Sequence, residues 1–266
     1  MQASILGIGL LAPGLSGWPD GRAVLSGRWA YQPGDYPEPR TELLPPNERR
    51  RSSECVRWAI HVAQEAIIQS GLDARNVATV FASSGGEMDV FDKLCRTLAT
   101  AERIVSPTLF HQSVHNTAAG YWGIATTCQQ ASTALSCYDD SFAAGLIEAV
   151  SFASVEVRPV LLVAYDLPAP APLRDARQIA LPFAAALVLS PVCRPALATV
   201  TFRVEPANGH ADSQMFNDDL ERLRLDNPAA RALPILAALA REVQQTLSLN
   251  FLDDQRIVVE LEPCRD

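Results

Sequence analysis

The sequence lacks the closely spaced cysteine pairs of a zinc ribbon. None of its cysteines forms a Cys-x-x-Cys pair, which two sulfurs need in order to reach one tetrahedral metal centre. A disulfide scaffold would be shorter and denser in cysteine. The sequence therefore predicts free thiols in a reducing cytoplasm, with no metal and no cofactor. The six cysteines are Cys55, Cys95, Cys128, Cys137, Cys193 and Cys264.

The sequence also lacks a basic stripe and a long apolar run. Its net charge is −8 and its pI is about 5.1, and an acidic surface repels both phosphate backbones and anionic lipid. The apolar N-terminus carries no Lys or Arg and is interrupted by glycines. These features favour a buried strand over a signal peptide, and they predict neither a nucleic-acid partner nor a membrane partner.

Histidine is scarce, with only His61, His111, His115 and His210 in the chain. The four-residue spacing of His111 and His115 suits a metal pair on a helix. However, no carboxylate lies near them in the sequence and no third ligand is evident. The sequence therefore predicts no metal site.

What is present is the composition of one large globular domain. Hydrophobic residues make up 48% of the 266 residues, enough for a substantial core. Predicted strands alternate with predicted helices, which is typical of an α/β fold with a mixed, mostly parallel sheet and helices on both faces. The predicted helices are 53–70, 87–102, 117–127, 139–151 and 229–248. The predicted strands are 3–11, 77–82, 131–136, 159–164, 184–189, 198–204 and 256–261. The segment 107–115 is predicted as loop or extended chain, and 206–228 as polar and irregular.

Several motifs, in order along the chain, resemble the N-terminal half of the β-ketoacyl synthases. They are Gly7-Ile8-Gly9, the Asn116-Thr117-Ala118-Ala119-Gly120 helix start, the Ser132–Cys137 strand and the Pro182-Phe183 pair. The resemblance covers roughly residues 1–200. It implies a thiolase-like half over 1–205. The remaining 206–266 is predicted as a short variant helix and strand that pack on the same domain. The run 141–146 resembles the short chain-length factors of aryl polyene and related pigment pathways.

Cys137 lies at the position that the resemblance assigns to the ketosynthase nucleophile, at the start of a helix. Three observations weigh against a catalytic role. No histidine stands in a context that resembles the family's catalytic motifs. Asp139 and Asp140, predicted in the first helical turn, would repel a thiolate. Tyr138 replaces the usual small residue. The expectation is that no residue of this chain is catalytic.

The resemblance also implies an interface and a tunnel. Ketosynthases pair through the strand before the nucleophile, which here consists of Ala131, Ser132, Thr133, Ala134, Leu135 and Ser136. Leu109, Phe110 and Val114 match positions at the far end of the acyl tunnel, where side-chain bulk limits chain length. An ordinary core or interface role for these three residues stays open.

These observations predict a non-catalytic, chain-length-factor-like subunit. Its partners would be a catalytic ketosynthase, in a cytoplasmic heterodimer, and an acyl carrier protein that delivers a polyene or fatty acyl chain. One alternative is a stand-alone acyltransferase or condensing enzyme that uses Cys137 as its nucleophile. A second alternative is a homodimeric interaction module with no acyl ligand.

Overall fold

The computed structural model describes residues 1–193 and 195–264, so the last two residues of the predicted region 206–266 lie outside it. Within the described ranges the strands are β1 (Gln2–Ala12), β2 (Leu15–Ser16), β3 (Ala78–Ala82), β4 (Ser132–Leu135), β5 (Val160–Asp166), β6 (Phe183–Ser190), β7 (Ala198–Pro206), β8 (Gln245–Phe251) and β9 (Gln255–Pro263). The α-helices are α1 (Trp18–Leu25), α2 (Pro46–Arg51), α3 (Glu54–Ser70), α4 (Met88–Leu98), α5 (Pro107–Gln112), α6 (Thr117–Thr126), α7 (Ser141–Val155), α8 (Asp218–Asp226) and α9 (Leu233–Arg241).

One mixed sheet runs through the molecule in the order β4-β3-β5-β6-β1-β7-β9-β8, with β2 paired to β1. This confirms the α/β class and the mixed sheet. The predicted predominance of parallel pairs needs correction, because only β3–β4 and β3–β5 are parallel. Parallel neighbours need a crossover connection, usually a helix. Here α4, α5 and α6 lie between β3 and β4, and α7 lies between β4 and β5. The link from β5 to β6 carries no α-helix, and β6 returns antiparallel.

Helices cover both faces of the sheet. One core cluster packs α7, α9 and the short turn before α9 against one face. A second cluster packs α3 and α6 against the other face. Strands β5 and β6 are buried along their whole length, as expected for strands enclosed between helical layers.

The glycines of β1 allow α3 to lie directly on the sheet. A Cβ atom at Gly7 would lie 2.0 Å from the Ala66 carbonyl oxygen, and one at Gly9 would lie 2.0 Å from the Val62 carbonyl oxygen. Any side chain at either position would therefore collide with the backbone of α3. The helix itself follows its prediction closely, since the Ser53 side chain caps its start and Gly71 ends it in a left-handed conformation.

The C-terminal region differs from the sequence-based prediction in two places. Helix α8 forms inside the segment predicted as irregular, where the Asn217 side chain caps its N-terminus. The helix predicted over 229–248 ends at Arg241, because Glu242 adopts a left-handed backbone with φ of 53°. Strand β8 follows and pairs with β9, which in turn pairs with β7. The region therefore extends the sheet beyond β1.

Residues 107–112 form the short helix α5, where the sequence predicted loop or extended chain. Pro107 stands at the first turn of this helix, a position at which proline is pre-organised for helical geometry. The helix matters for function because it carries Leu109 and Gln112, whose side chains line a cavity described below.

Candidate functional site

Cys137 does not lie at the N-terminus of an α-helix. A 3-10 turn over Tyr138–Asp140 separates it from α7, which begins at Ser141 rather than at 139 as predicted. The backbone N–H of Cys137 donates to the Ser141 hydroxyl at 3.0 Å, and that hydroxyl donates to the Tyr138 carbonyl at 2.7 Å. A helix dipole acts mainly within the first turn of its helix, and Cys137 lies before the 3-10 turn that precedes α7.

Asp139 and Asp140 precede α7, whereas the sequence predicted them in its first turn, and the Asp140 side chain makes no capping hydrogen bond. Asp139 instead accepts from Arg177, with 2.6 Å between Oδ1 and Nη1. Asp140 accepts from the Asn250 amide at 3.0 Å and from the Leu252 backbone N–H at 2.9 Å. Both carboxylates therefore tie the segment after Cys137 to distant parts of the chain.

Tyr138 stands beside Cys137 in a strained backbone conformation. Its φ of 51° lies in the left-handed region, which is uncommon for a non-glycine residue. Its ring is exposed, and the Arg177 guanidinium stacks on it at 4.0 Å from the ring centre. Strain at such a junction is typical of a nucleophile elbow. Here, however, the strained residue is a bulky tyrosine that an arginine holds in place.

Two of the four histidines make hydrogen bonds elsewhere in the structure. The Nε2 atom of His115 lies 3.1 Å from the Ser83 carbonyl, and Nδ1 of His61 accepts from the Arg40 backbone. Among the described residues, no hydrogen bond joins a histidine to Cys137. The same part of the chain holds no group of three or more His, Cys, Asp or Glu residues arranged to bind a metal ion.

The strand assigned to the interface is the edge of the sheet. Among the strands that the structure describes, β4 pairs only with β3, so alternate N–H and C=O groups of β4 point away from the sheet. Ala131, Ser132 and Ser136 are exposed, and the three residues between Ser132 and Ser136 are half-buried. An open edge of this kind is a template for pairing with another chain.

The three predicted tunnel residues do not share one environment. Leu109 is half-buried and lines a cavity of about 450 Å³ beside α3 and α4. Phe110 and Val114 are exposed at 69% and 49% and do not line this cavity. The three residues are close in the chain, but the structure places Leu109 in a cavity wall and Phe110 and Val114 on the outer surface.

Sequence reasoning missed two buried polar residues in the wall of this cavity, Glu87 and Gln112. Burial raises the pKa of Glu87 to about 7, although a hydrogen bond from the Ser53 hydroxyl, at 2.6 Å, lowers it. The only signal in the sequence was the position of Glu87 directly after the Ser83–Gly86 turn.

The Ser83–Gly86 turn after β3 has a structural role. Both serine hydroxyls and the Ser84 N–H donate to Oδ1 of Asp166, which is buried at the end of β5. Burial raises the pKa of Asp166 to about 6 against these hydrogen bonds. The turn is thus fixed by a carboxylate from the neighbouring strand.

A larger cavity of about 720 Å³ lies on the outer side of α3, away from Cys137. Glu65 lines this cavity, and its carboxylate accepts the backbone N–H groups of Leu10 and Trp18 at 2.9 and 2.6 Å. The acid therefore holds the turn after β1 in place, and this role needs no ligand.

Residues 26–247 match the family model for the β-ketoacyl synthase N-terminal domain. The chain belongs to this family. The match continues to residue 247, past the limit near residue 200 that the motifs indicated, so much of the C-terminal region also belongs to the β-ketoacyl synthase domain. No curated protein matches the sequence. No helix of the described residues is long and apolar enough to cross a membrane.

Three solved structures show the fold of this β-ketoacyl synthase-family chain. A ketosynthase (ApeO) in complex with its chain length factor (ApeC) from Xenorhabdus doucetiae matches with a TM-score of 0.73 at 23% identity, covering 98% of this chain and 99% of that one. A complex of a type II polyketide acyl-carrier protein with its ketosynthase, AntDE:AntF, matches at 0.76 and 14% identity, covering 99% of each chain. The ishigamide ketosynthase/chain length factor matches at 0.73 and 13% identity, covering 100% of each chain.

Proposed function

We propose that this chain is a non-catalytic, chain-length-factor-like subunit of a β-ketoacyl synthase. It pairs with a catalytic ketosynthase and helps to elongate a polyene or fatty acyl chain carried on an acyl carrier protein. The observation that carries the proposal is the surroundings of Cys137. Among the described residues, the thiol has no histidine within hydrogen-bonding reach, and Arg177 holds the bulky Tyr138 beside it. Condensation needs donors that stabilise the developing enolate.

The open edge of β4 supports the pairing. Large exposed apolar side chains are also frequent in the segment around this strand. Such side chains mark interaction surfaces when they are concentrated in one region. They are Phe91, Leu98, Ile104, Phe110, Val114, Ile124 and Tyr138.

The structural neighbours support the same role. Two of them are described as a ketosynthase with its chain length factor, and one includes an acyl-carrier protein. The resemblance of residues 141–146 to the short factors of aryl polyene pathways favours a polyene as the product.

The test is co-expression with the catalytic ketosynthase of the same pathway, followed by size-exclusion chromatography with mass determination. A one-to-one complex is expected, and Cys137→Ala should elongate carrier-bound chains as fast as the wild type. The matched control is Cys95→Ala, which removes an exposed thiol on α4. A stable homodimer that ignores the ketosynthase, or activity lost only with Cys137→Ala, contradicts the proposal.

Alkylation separates this role from a stand-alone acyltransferase. A nucleophilic Cys137 would react with iodoacetamide at neutral pH faster than the exposed Cys95. We expect Cys137 to react no faster than Cys95, and peptide mass spectrometry after timed labelling measures both rates.

Chain length is tested at Leu109, which lines the 450 Å³ cavity. Leu109→Trp fills part of this space, so the complex should release shorter products, whereas Leu109→Ala should allow longer ones. Mass spectrometry of the released chains measures the distribution. Leu225→Ala is the matched control, because this leucine is exposed on α8, does not line the cavity and should leave product length unchanged.

A further inference from the structure

The cavity of about 720 Å³ on the outer side of α3 is shaped by three distant parts of the chain. One wall is the outer face of α3, and a second is the start of α1. The segment 37–40 supplies a third wall through Pro37, Glu38 and Arg40. A hydrogen bond of 2.8 Å from the Arg40 backbone N–H to Nδ1 of His61 fixes this segment to α3. The volume lies in the range of small-molecule sites.

Much of this cavity wall is apolar. Ile68 is 69% exposed, although it lies on a helix whose opposite face is deeply buried. A large apolar side chain left open to solvent beside a cavity is suited to contact with an apolar ligand. The apolar residues of the wall are Ile8, Leu11, Trp18, Pro19, Pro37 and Ile68.

The charged groups of the wall are mainly negative. Among the described residues the wall holds three carboxylates, those of Asp20, Glu38 and Glu65, and one guanidinium, that of Arg40. His61 adds no positive charge at neutral pH, because burial and the nearby Arg40 lower its pKa. Within the same part of the chain, neither Asp20 nor Glu38 forms an ion pair. A cleft lined by an excess of one sign of charge concentrates ligands of the opposite sign.

Gln64 adds an acceptor without a partner to this wall. Its Oε1 is buried and accepts no hydrogen bond from the residues that the structure describes. Those residues do not bond to its amide nitrogen either, so the amide can rotate by half a turn without losing a hydrogen bond. The rotation exchanges oxygen and nitrogen and presents the oxygen to the cavity. Because a buried acceptor without a donor is costly, a ligand N–H is favoured here.

We propose that this cavity binds an organic ammonium ion with an apolar body. The carboxylates of Asp20 and Glu38 attract its charge, the Gln64 amide accepts one of its N–H groups, and the body packs against Ile68. The excess of carboxylates disfavours an organic anion, and a neutral ligand would leave that excess unbalanced. The inference goes beyond the proposed function, because the site needs neither the ketosynthase nor an acyl chain.

The experiment compares three probes of similar shape with the purified full chain in isothermal titration calorimetry. They are 4-phenylbutylamine, 4-phenylbutanol and 5-phenylpentanoate, measured at low salt, where exposed charges are least screened. The amine should bind about fivefold more tightly than the alcohol, and the acid more weakly than both. Gln64→Leu should weaken the amine and the alcohol alike, because both donate a hydrogen bond.

A pair of double variants then places the ammonium group. Asp20→Asn with Glu38→Gln should bring the affinity for the amine down to that for the alcohol. The matched control is Glu102→Gln with Asp253→Asn, which removes the same charge at exposed residues outside the cavity, and it should retain the preference. All four side chains are exposed, so these variants should fold.

The possible results decide the proposal. Equal affinity for the amine and the alcohol, tighter binding of the acid, or no binding of any probe overturns the ligand class. A preference for the amine that survives Asp20→Asn with Glu38→Gln overturns the site, because the amine then binds elsewhere. The wild-type comparison needs no variant, and none of these results bears on assembly with the ketosynthase.

Discussion

Nη1 of Arg177 lies 2.6 Å from Oδ1 of Asp139. The arginine side chain is 14% exposed and the aspartate side chain 46% exposed, and the same guanidinium covers the Tyr138 ring. We expect Arg177→Ala to lower the free energy of unfolding by about 1 kcal/mol, because it removes a partly screened ion pair together with a cation–π contact. Urea unfolding measures this loss. The control is Arg75→Ala, whose ion pair with Asp73 is exposed on both sides, and it should have a smaller effect.

Removing Arg177 should also free the segment after Cys137. Labelling of Cys137 by iodoacetamide is expected to become faster in Arg177→Ala than in the wild type, because Arg177 no longer holds Tyr138 and Asp139. An unchanged labelling rate would contradict the view that Arg177 fixes this segment.

Glu87 predicts a specific dependence of stability on pH. Its pKa rises from its ordinary 4.5 to about 7 on folding, so the folded state binds a proton that the unfolded state releases. This contribution is fully present below pH 4.5 and is lost as the pH rises through 7. Each unit of pKa difference corresponds to about 1.4 kcal/mol, which places the total on the order of 3 kcal/mol.

The neutral variant Glu87→Gln should lose this dependence. Its free energy of unfolding should fall less than that of the wild type between pH 4.5 and 7, and denaturant titrations at several pH values measure the difference. The pKa of Asp166 is also raised, to about 6. Asp166 is present in both proteins, so its contribution to the pH dependence cancels in the comparison. Parallel pH profiles for the two proteins would show that Glu87 titrates normally.

The open edge of β4 predicts that a substitution there will weaken assembly with the ketosynthase without unfolding the chain. The Ala131 and Leu135 carbonyls accept from the β3 backbone at 3.0 and 3.2 Å, so the alternation of a parallel ladder directs the N–H of Ala134 away from the sheet. Ala134→Pro removes that outward donor. It should weaken binding to the ketosynthase at least tenfold in surface plasmon resonance, while the isolated chain stays folded by circular dichroism. Ala134→Val keeps the N–H and should bind normally. Equal affinity of the proline variant would exclude pairing through this edge.

The packing of β1 on α3 predicts a large loss of stability. Gly9→Ala places a Cβ atom 2.0 Å from the Val62 carbonyl, so strand and helix must separate. We expect a loss of about 3 kcal/mol or more in urea unfolding. Gly120→Ala is the matched control, because nothing lies within 4 Å of its added Cβ. Helix α6 should then gain stability, by about 0.5–1 kcal/mol. Similar behaviour of the two variants would contradict this account.

Features with strong local signals were predictable from the sequence. Helix α3 is an example, because a serine cap, a helical apolar stripe and a terminal glycine all lie within one short window. The apolar run of β5 is another. The motifs around Cys137 also lie within short stretches of sequence, and this is why they identified the family. Helix α8 and strand β8 were missed, since their boundaries depend on packing against the sheet and on the left-handed Glu242.

The sequence by itself determined the α/β class, most of the elements and the family. Only the tertiary structure decided the direction of the strands, the partners of Asp139 and Asp140, and the position of Glu87 and Gln112 in the wall of one cavity. The reason is distance along the chain. Backbone propensity and side-chain periodicity act over a few residues, whereas Asp139 meets Arg177 across 38 residues and Asp140 meets Asn250 across 110.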